Sequence, residues 1–126
     1  MSRINELKED FKNILGKWKQ ALDQPKSELS RDAAILRFVR RPADEVGWKL
    51  IQVLAREEGH EVKSPRQAFQ QAFSLGWVSD EIIWFDILKA RNTATHVYRE
   101  TYANALYQEL DTYYKAFKEF EEAVTN

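Results

Sequence analysis

Within eight residues, Arg91-Asn92-Thr93-Ala94-Thr95-His96-Val97-Tyr98 gathers three side chains able to act on a phosphate. Arginine presents a planar fork of donors that fits phosphate oxygens, histidine exchanges a proton near neutral pH, and a tyrosine hydroxyl acts as an acid or accepts a modifying group. The chain has only two histidines, and no other stretch combines these abilities. On a helix turning about 100° per residue, Arg91 and Tyr98 are nearly eclipsed and Asn92 and His96 are neighbours, whereas Arg91 and His96 diverge by roughly 140°. One straight helix therefore cannot aim both at one phosphate. Either the helix ends or bends within residues 93–97, or a second copy completes the site across a two-fold axis. Asn92, Thr93 and Thr95 offer side chains that compete with the helical backbone, so termination here is physically reasonable. The plainer reading of the same residues is a capping or salt-bridge pair at a helix end.

The elements that must carry this segment read as helices throughout. Ile4, Leu7, Phe11, Ile14, Trp18 and Leu22 recur at three- and four-residue steps and predict a first helix ending near Pro25. Ser27 or Ser30 opens a second, carrying Ala33, Leu36 and Val39, then Val46, Leu50 and Leu54, kinked or interrupted at Pro42 and stopped by Gly59. Ser64-Pro65-Arg66-Gln67 is a start signal for a short helix ending at Gly76. Ser79-Asp80-Glu81 opens the helix that delivers Arg91, with Ile83, Ile87, Ala90 and Ala94 on one stripe. A last long helix from about Thr101 carries Leu106, Leu110, Tyr113, Phe117 and Phe120. The expected fold is all-α, an up-and-down four-helix bundle with one extra short helix, forming a single domain over residues 1–126. Tyr102, Tyr107 and Tyr114 beside the last core stripe suggest surface left for a second subunit.

Composition bounds the rest. The chain has 126 residues, 44% hydrophobic and 31% charged, with no cysteine, so disulfides and thiolate metal sites are excluded. With only His60 and His96 to supply imidazole, a transition-metal site would be mostly carboxylate; no metal and no cofactor is expected. His60, beside Gly59 in a turn, reads as solvated. The first residues carry charge where a signal peptide needs an apolar run, and no stretch approaches a membrane span, so a cytoplasmic protein is expected. A net charge of −1 gives no long-range attraction to nucleic acid, so any such contact comes from a local patch. Arg37, Arg40 and Arg41 gather on one helical face, and Lys49 continues them if the kink is mild; they form either a path for an RNA backbone or a solvated arginine face.

Arg91-Asn92 followed by His96 and Tyr98 resembles the signature of the HEPN superfamily (higher-eukaryote and prokaryote nucleotide-binding domains), in the branch called nucleotidyltransferase substrate-binding proteins. The similarity continues in order along nearly the whole chain through Arg31-Asp32, Arg37-Phe38, Glu45-x-x-Trp48-Lys49, Ser64-Pro65-Arg66 and Trp84-x-x-x-Leu88-x-x-Arg91-Asn92. One departure is that the branch usually runs from Phe38 to Trp48 as an unbroken helix, whereas Val39-Arg40-Arg41-Pro42-Ala43-Asp44 differs, which bears on the cleft wall.

The resemblance implies a homodimer that brings two copies of the segment face to face, and a small nucleotidyltransferase as partner. In toxin members such a cleft cuts RNA without metal. Mapped here, His96 exchanges protons with the ribose 2′-hydroxyl or the leaving 5′-oxygen, Arg91 stabilises the crowded phosphorus, and Asn92 holds His96 or the phosphate. Tyr98 would be where the partner, acting as antitoxin, adds an adenylyl group; the alternative is packing at the dimer seam. Two functions follow: a metal-independent ribonuclease toxin, or a non-catalytic subunit that presents a nucleotide or substrate to the nucleotidyltransferase.

Overall fold

Helix boundaries follow from local chemistry at nearly every end. The computed structural model describes residues 3–40, 46–93 and 100–125, and among these it contains six helices and no strand: α1 Arg3–Leu22, α2 Glu28–Arg40, α3 Gly47–Glu57, α4 Pro65–Ser74, α5 Glu81–Thr93 and α6 Glu100–Thr125. Ser27 caps α2: its Oγ accepts from the Ser30 amide at 3.1 Å while Ser30 Oγ accepts from the Ser27 amide at 3.0 Å, a reciprocal box built from two serines. Ser64 Oγ accepts from the Gln67 amide at 3.2 Å with Pro65 at the first helical position, but Gln67 Oε1 reaches back to the Lys63 amide, one residue before the cap. Asp80 caps α5 by accepting from the Ile82 and Ile83 amides.

The two stops read at glycine are Schellman closures. After α3 the His60 amide donates to Ala55 O and the Gly59 amide to Arg56 O; after α4 the Trp77 amide donates to Ala72 O and the Gly76 amide to Phe73 O. Gly59 and Gly76 have φ of 87° and 81°, the left-handed region where a Cβ is strained. The segment expected to be kinked or interrupted at Pro42 forms two helices among the described residues, α2 and α3; Pro42 itself lies outside them.

α1, α2 and α6 pack on one another, α3 packs on α1 and α4, α4 on α5, and α5 on α6. An aromatic chain crosses these layers. Phe38 of α2 meets Trp18 of α1 at 5.8 Å, Trp18 meets Phe117 of α6 at 5.8 Å, Phe117 meets Trp84 of α5 at 4.8 Å, and Trp84 meets Phe69 of α4 at 4.8 Å. Each ring is buried, and each contributes about 1.5–3 kcal/mol of transfer free energy. Ser79 at the start of α5 bonds Glu119 late in α6, Trp84 meets Phe117, and Asp86 acts on Tyr113 further back, so α5 and α6 run antiparallel.

The core stripe of α2 is out of phase with the expected one. Ala33 and Leu36 are exposed, and the helix instead buries Ser30, Arg31, Ala34, Ile35 and Phe38. Apolar residues lie on both sides of α2, and the choice falls to the side on which Phe38 reaches Trp18 and stacks on Tyr113 at 5.6 Å. Two of the three tyrosines read as spare surface are half-buried and engaged within the chain. Tyr107 lies under Lys26 Nζ at 4.6 Å and Tyr114 packs edge-on to Trp18 at 5.5 Å. Tyr102 is exposed.

Candidate functional site

α5 carries Arg91 and Asn92 in its last turn because Trp84 and Ile87, three and four residues apart from each other and from Arg91, turn that face inward. Arg91 lies half-buried on this side, and Asn92 is exposed. Arg91 Nη1 donates to Asn92 Oδ1 at 3.2 Å, so the amide oxygen orients the guanidinium directly. A cation in the last turn is also favoured by the carbonyl end of the helix dipole. His96 and Tyr98 lie outside the described residues. α5 is described to Thr93, and its antiparallel neighbour α6 begins at Glu100. The angular conflict between Arg91 and His96 applies to a single helix continuing through both, and the described helices on the two sides of His96 run in opposite directions.

Two residues beyond Tyr98, Glu100 is held by a clamp that sequence reading missed. Arg31, 6% exposed, donates from Nη1 to Glu100 Oε2 at 3.0 Å and from Nη2 to Oε1 at 3.3 Å, a bidentate grip. Nη1 also reaches Asn104 Oδ1 at 3.0 Å, and Nε donates to Asp32 Oδ1 at 2.9 Å. The Glu100 and Asp32 carboxylates raise the Arg31 pKa, and the Arg31 hydrogen bond holds the Glu100 carboxyl below the usual carboxylate range. Clamp residues form part of the wall of an open depression of about 340 Å³ lined by Lys26, Ser27, Glu28, Arg31, Glu100, Asn104 and Tyr107. Arg31 is engaged by protein acceptors and acts as a tie between α2 and α6, leaving Lys26 as the second cation of the depression. The available signal was spacing, since Arg31 precedes buried Ala34 and Phe38 by three and seven residues.

Arg37 is exposed on α2, Arg40 ends that helix, Arg41 lies outside the described residues, and Lys49 is half-buried on α3. His60 is exposed, following the α3 stop. Among the described residues no group of three or more His, Cys, Asp or Glu side chains is placed to hold a metal ion, and no helix is long and apolar enough to cross a membrane.

Fold and site together define an all-helical domain whose antiparallel α5 and α6 flank a short polar segment, with an arginine oriented on one side and a clamped carboxylate on the other. The family described as nucleotidyltransferase substrate binding protein like matches residues 2–126, and the chain belongs to it. The resemblance read from the ordered residues is borne out at this level. No curated protein matches the sequence. The crystal structure of a Thermus thermophilus protein is similar to this chain, with a TM-score of 0.80 and 28% identity, covering 87% of this chain and 94% of that one.

Proposed function

We propose that this protein is the binding subunit of a two-component nucleotidyltransferase, working as a homodimeric helical bundle that holds a phosphate-bearing substrate at Arg91, Asn92 and His96 for a small catalytic partner. The observation that carries this reading is the Arg91–Asn92 bond: a guanidinium oriented by an adjacent amide, at the end of the helix that leads into His96 and Tyr98. Family membership supports the nucleotidyltransferase as partner. Asn92 orients, Arg91 grips the phosphate, and His96 adds a proton or a hydrogen bond; Tyr98 is the phenolic hydroxyl in this segment to which the partner transfers the adenylyl group of ATP, the tyrosine oxygen bonding to the α-phosphorus as the bond to the β-phosphate breaks and pyrophosphate leaves. The test is co-purification of the chain with a small nucleotidyltransferase, followed by calorimetry with ATP and by intact-mass measurement. Binding that is lost in Arg91→Ala, and a gain of one adenylyl mass that is lost in Tyr98→Phe, support it. Absence of any complex at high concentration overturns it.

The second reading, a metal-independent ribonuclease toxin silenced by that partner, is favoured by the same Arg91 and His96, which supply transition-state charge and a proton acceptor. Cleavage of total RNA in chelator by the parent chain, abolished in both Arg91→Ala and His96→Ala, separates it from the binding subunit.

A further inference from the structure

The outer side of α5 carries an aromatic and basic line that ends at the oriented arginine. Taking Phe85 as zero, Lys89 falls about 40° to one side and Asn92 about 20° to the other, all turned away from buried Ile87. Phe85 is half-buried, while Lys89 and Asn92 are exposed. Across the α4–α5 hairpin Phe69 meets Trp84, and Arg66, one turn nearer the start of α4, lies over the Phe85 ring with Cζ 5.4 Å from its centroid. At the far end, the bond to Asn92 Oδ1 draws the Arg91 guanidinium toward the same line. Asp86, the acidic neighbour, lies about 100° round the helix on the side of Tyr113.

A cation over a ring occurs about once in 70–80 residues, so the contact by itself is ordinary. Its chemistry and its place are not. The contacts at Tyr114 and Tyr107 are made by lysines, compact charges with no plane, whereas Arg66 lays a flat guanidinium on a flat ring. Among the described residues no carboxylate pairs with Arg66, so its charge is answered by the ring alone. In the depression beside the clamp, by contrast, the cations Lys26 and Arg31 are matched by Glu28 and Glu100, and a polyphosphate finds no net attraction there.

We infer that the phosphate-bearing substrate at Arg91 is a nucleoside triphosphate, whose base stacks on the Arg66–Phe85 pair while its terminal phosphates reach Arg91. The inference rests on the phosphate grip of the proposed function and names the substrate class that the grip serves. Phe85 and Asn92 are seven residues apart, about 10 Å along the axis, which matches the span from a base to the end of its own triphosphate chain. Lys89 stands between them and adds positive charge along that chain. Every base has a π face, so a ring and a guanidinium plane hold it by stacking. A single strand of RNA instead tracks over successive aromatic side chains, and one turn before Phe85 the line continues with exposed Ile82. One platform suits one base.

The test is calorimetry of the full chain, without its catalytic partner, against ATP, inorganic tripolyphosphate and oligouridylate. ATP is expected to bind about tenfold more tightly than tripolyphosphate, the worth of one stacked base. Phe85→Leu leaves tripolyphosphate binding unchanged and lowers ATP to its level. Should that variant fail to fold, Arg66→Lys keeps the charge, removes the plane and narrows the same gap. Equal binding of ATP and tripolyphosphate by the parent, an advantage for ATP that both variants keep, or a loss in Phe85→Leu shared equally by the two ligands overturns the stacking platform and leaves the phosphate grip standing. Oligouridylate binding more tightly than ATP overturns the choice of a single nucleotide. A parent that binds neither ATP nor tripolyphosphate overturns the grip together with the platform.

Discussion

Arg31 Nη1 and Glu100 Oε2 lie 3.0 Å apart across 69 positions of sequence, tying the first turns of α2 and α6 together beside the segment that holds His96 and Tyr98. Removing the arginine leaves Glu100 and Asn104 without their donor, and removing the carboxylate leaves a buried guanidinium with fewer acceptors. Arg31→Met is therefore expected to lower the melting temperature more than Glu100→Gln, because Arg31 is the buried partner with the larger set of bonds. Equal melting temperatures for the two variants would argue against the clamp as drawn.

The same pair has a pH signature. The Glu100 carboxyl is held below its ordinary value, first by the Arg31 hydrogen bond and then by the charge of Arg31. A depressed carboxylate contributes stability that is fully present above the unfolded value, about 4.3 for glutamate, and lost as pH falls through the lower folded value. Thermal melts taken from neutral pH down through that range should show the parent losing stability faster than Glu100→Gln, which lacks the titrating group. Parallel curves would remove Glu100 from the acid response.

Glycine positions separate by backbone and space. Gly59 and Gly76 have positive φ and close α3 and α4, so alanine at either costs about 1 kcal/mol through strain. Gly16 is exposed inside α1, and a Cβ built there meets nothing within 4 Å. Gly16→Ala should stabilise by about 1 kcal/mol through helix propensity. Urea midpoints for the three variants should move in these opposite directions.

Which of these features the sequence announces depends on how local their causes are. Ser64, Asp80, Gly59 and Gly76 act within four residues, and each marks a helix end in the structure. The phase of α2 was not legible, because Leu29, Ala33 and Leu36 form as good a stripe as Ala34, Ile35 and Phe38, and only packing on Trp18 and Tyr113 decides. At the site, Arg91 and Asn92 are neighbours and bond to each other, while His96, the protein partner expected of Asn92, lies outside the described residues. The Arg31–Glu100 clamp joins residues too distant for any spacing rule to pair.

The Arg91–Asn92 bond gives the sharpest check on the proposed phosphate grip. If Asn92 serves by holding the guanidinium in one orientation, Asn92→Ala keeps the charge but frees the fork, and affinity for a nucleotide should fall about tenfold, the usual worth of a charge-assisted hydrogen bond. Arg91→Ala should cost more, since it removes both charge and donors. Arg91→Lys keeps the charge without the planar fork, and at a bidentate site it rescues little. Calorimetry with ATP in the presence of the nucleotidyltransferase partner ranks the three. A result in which lysine binds as well as arginine, with Asn92→Ala unchanged, would mean that Arg91 acts as a diffuse charge and that the orientation seen at the end of α5 has no part in holding the ligand.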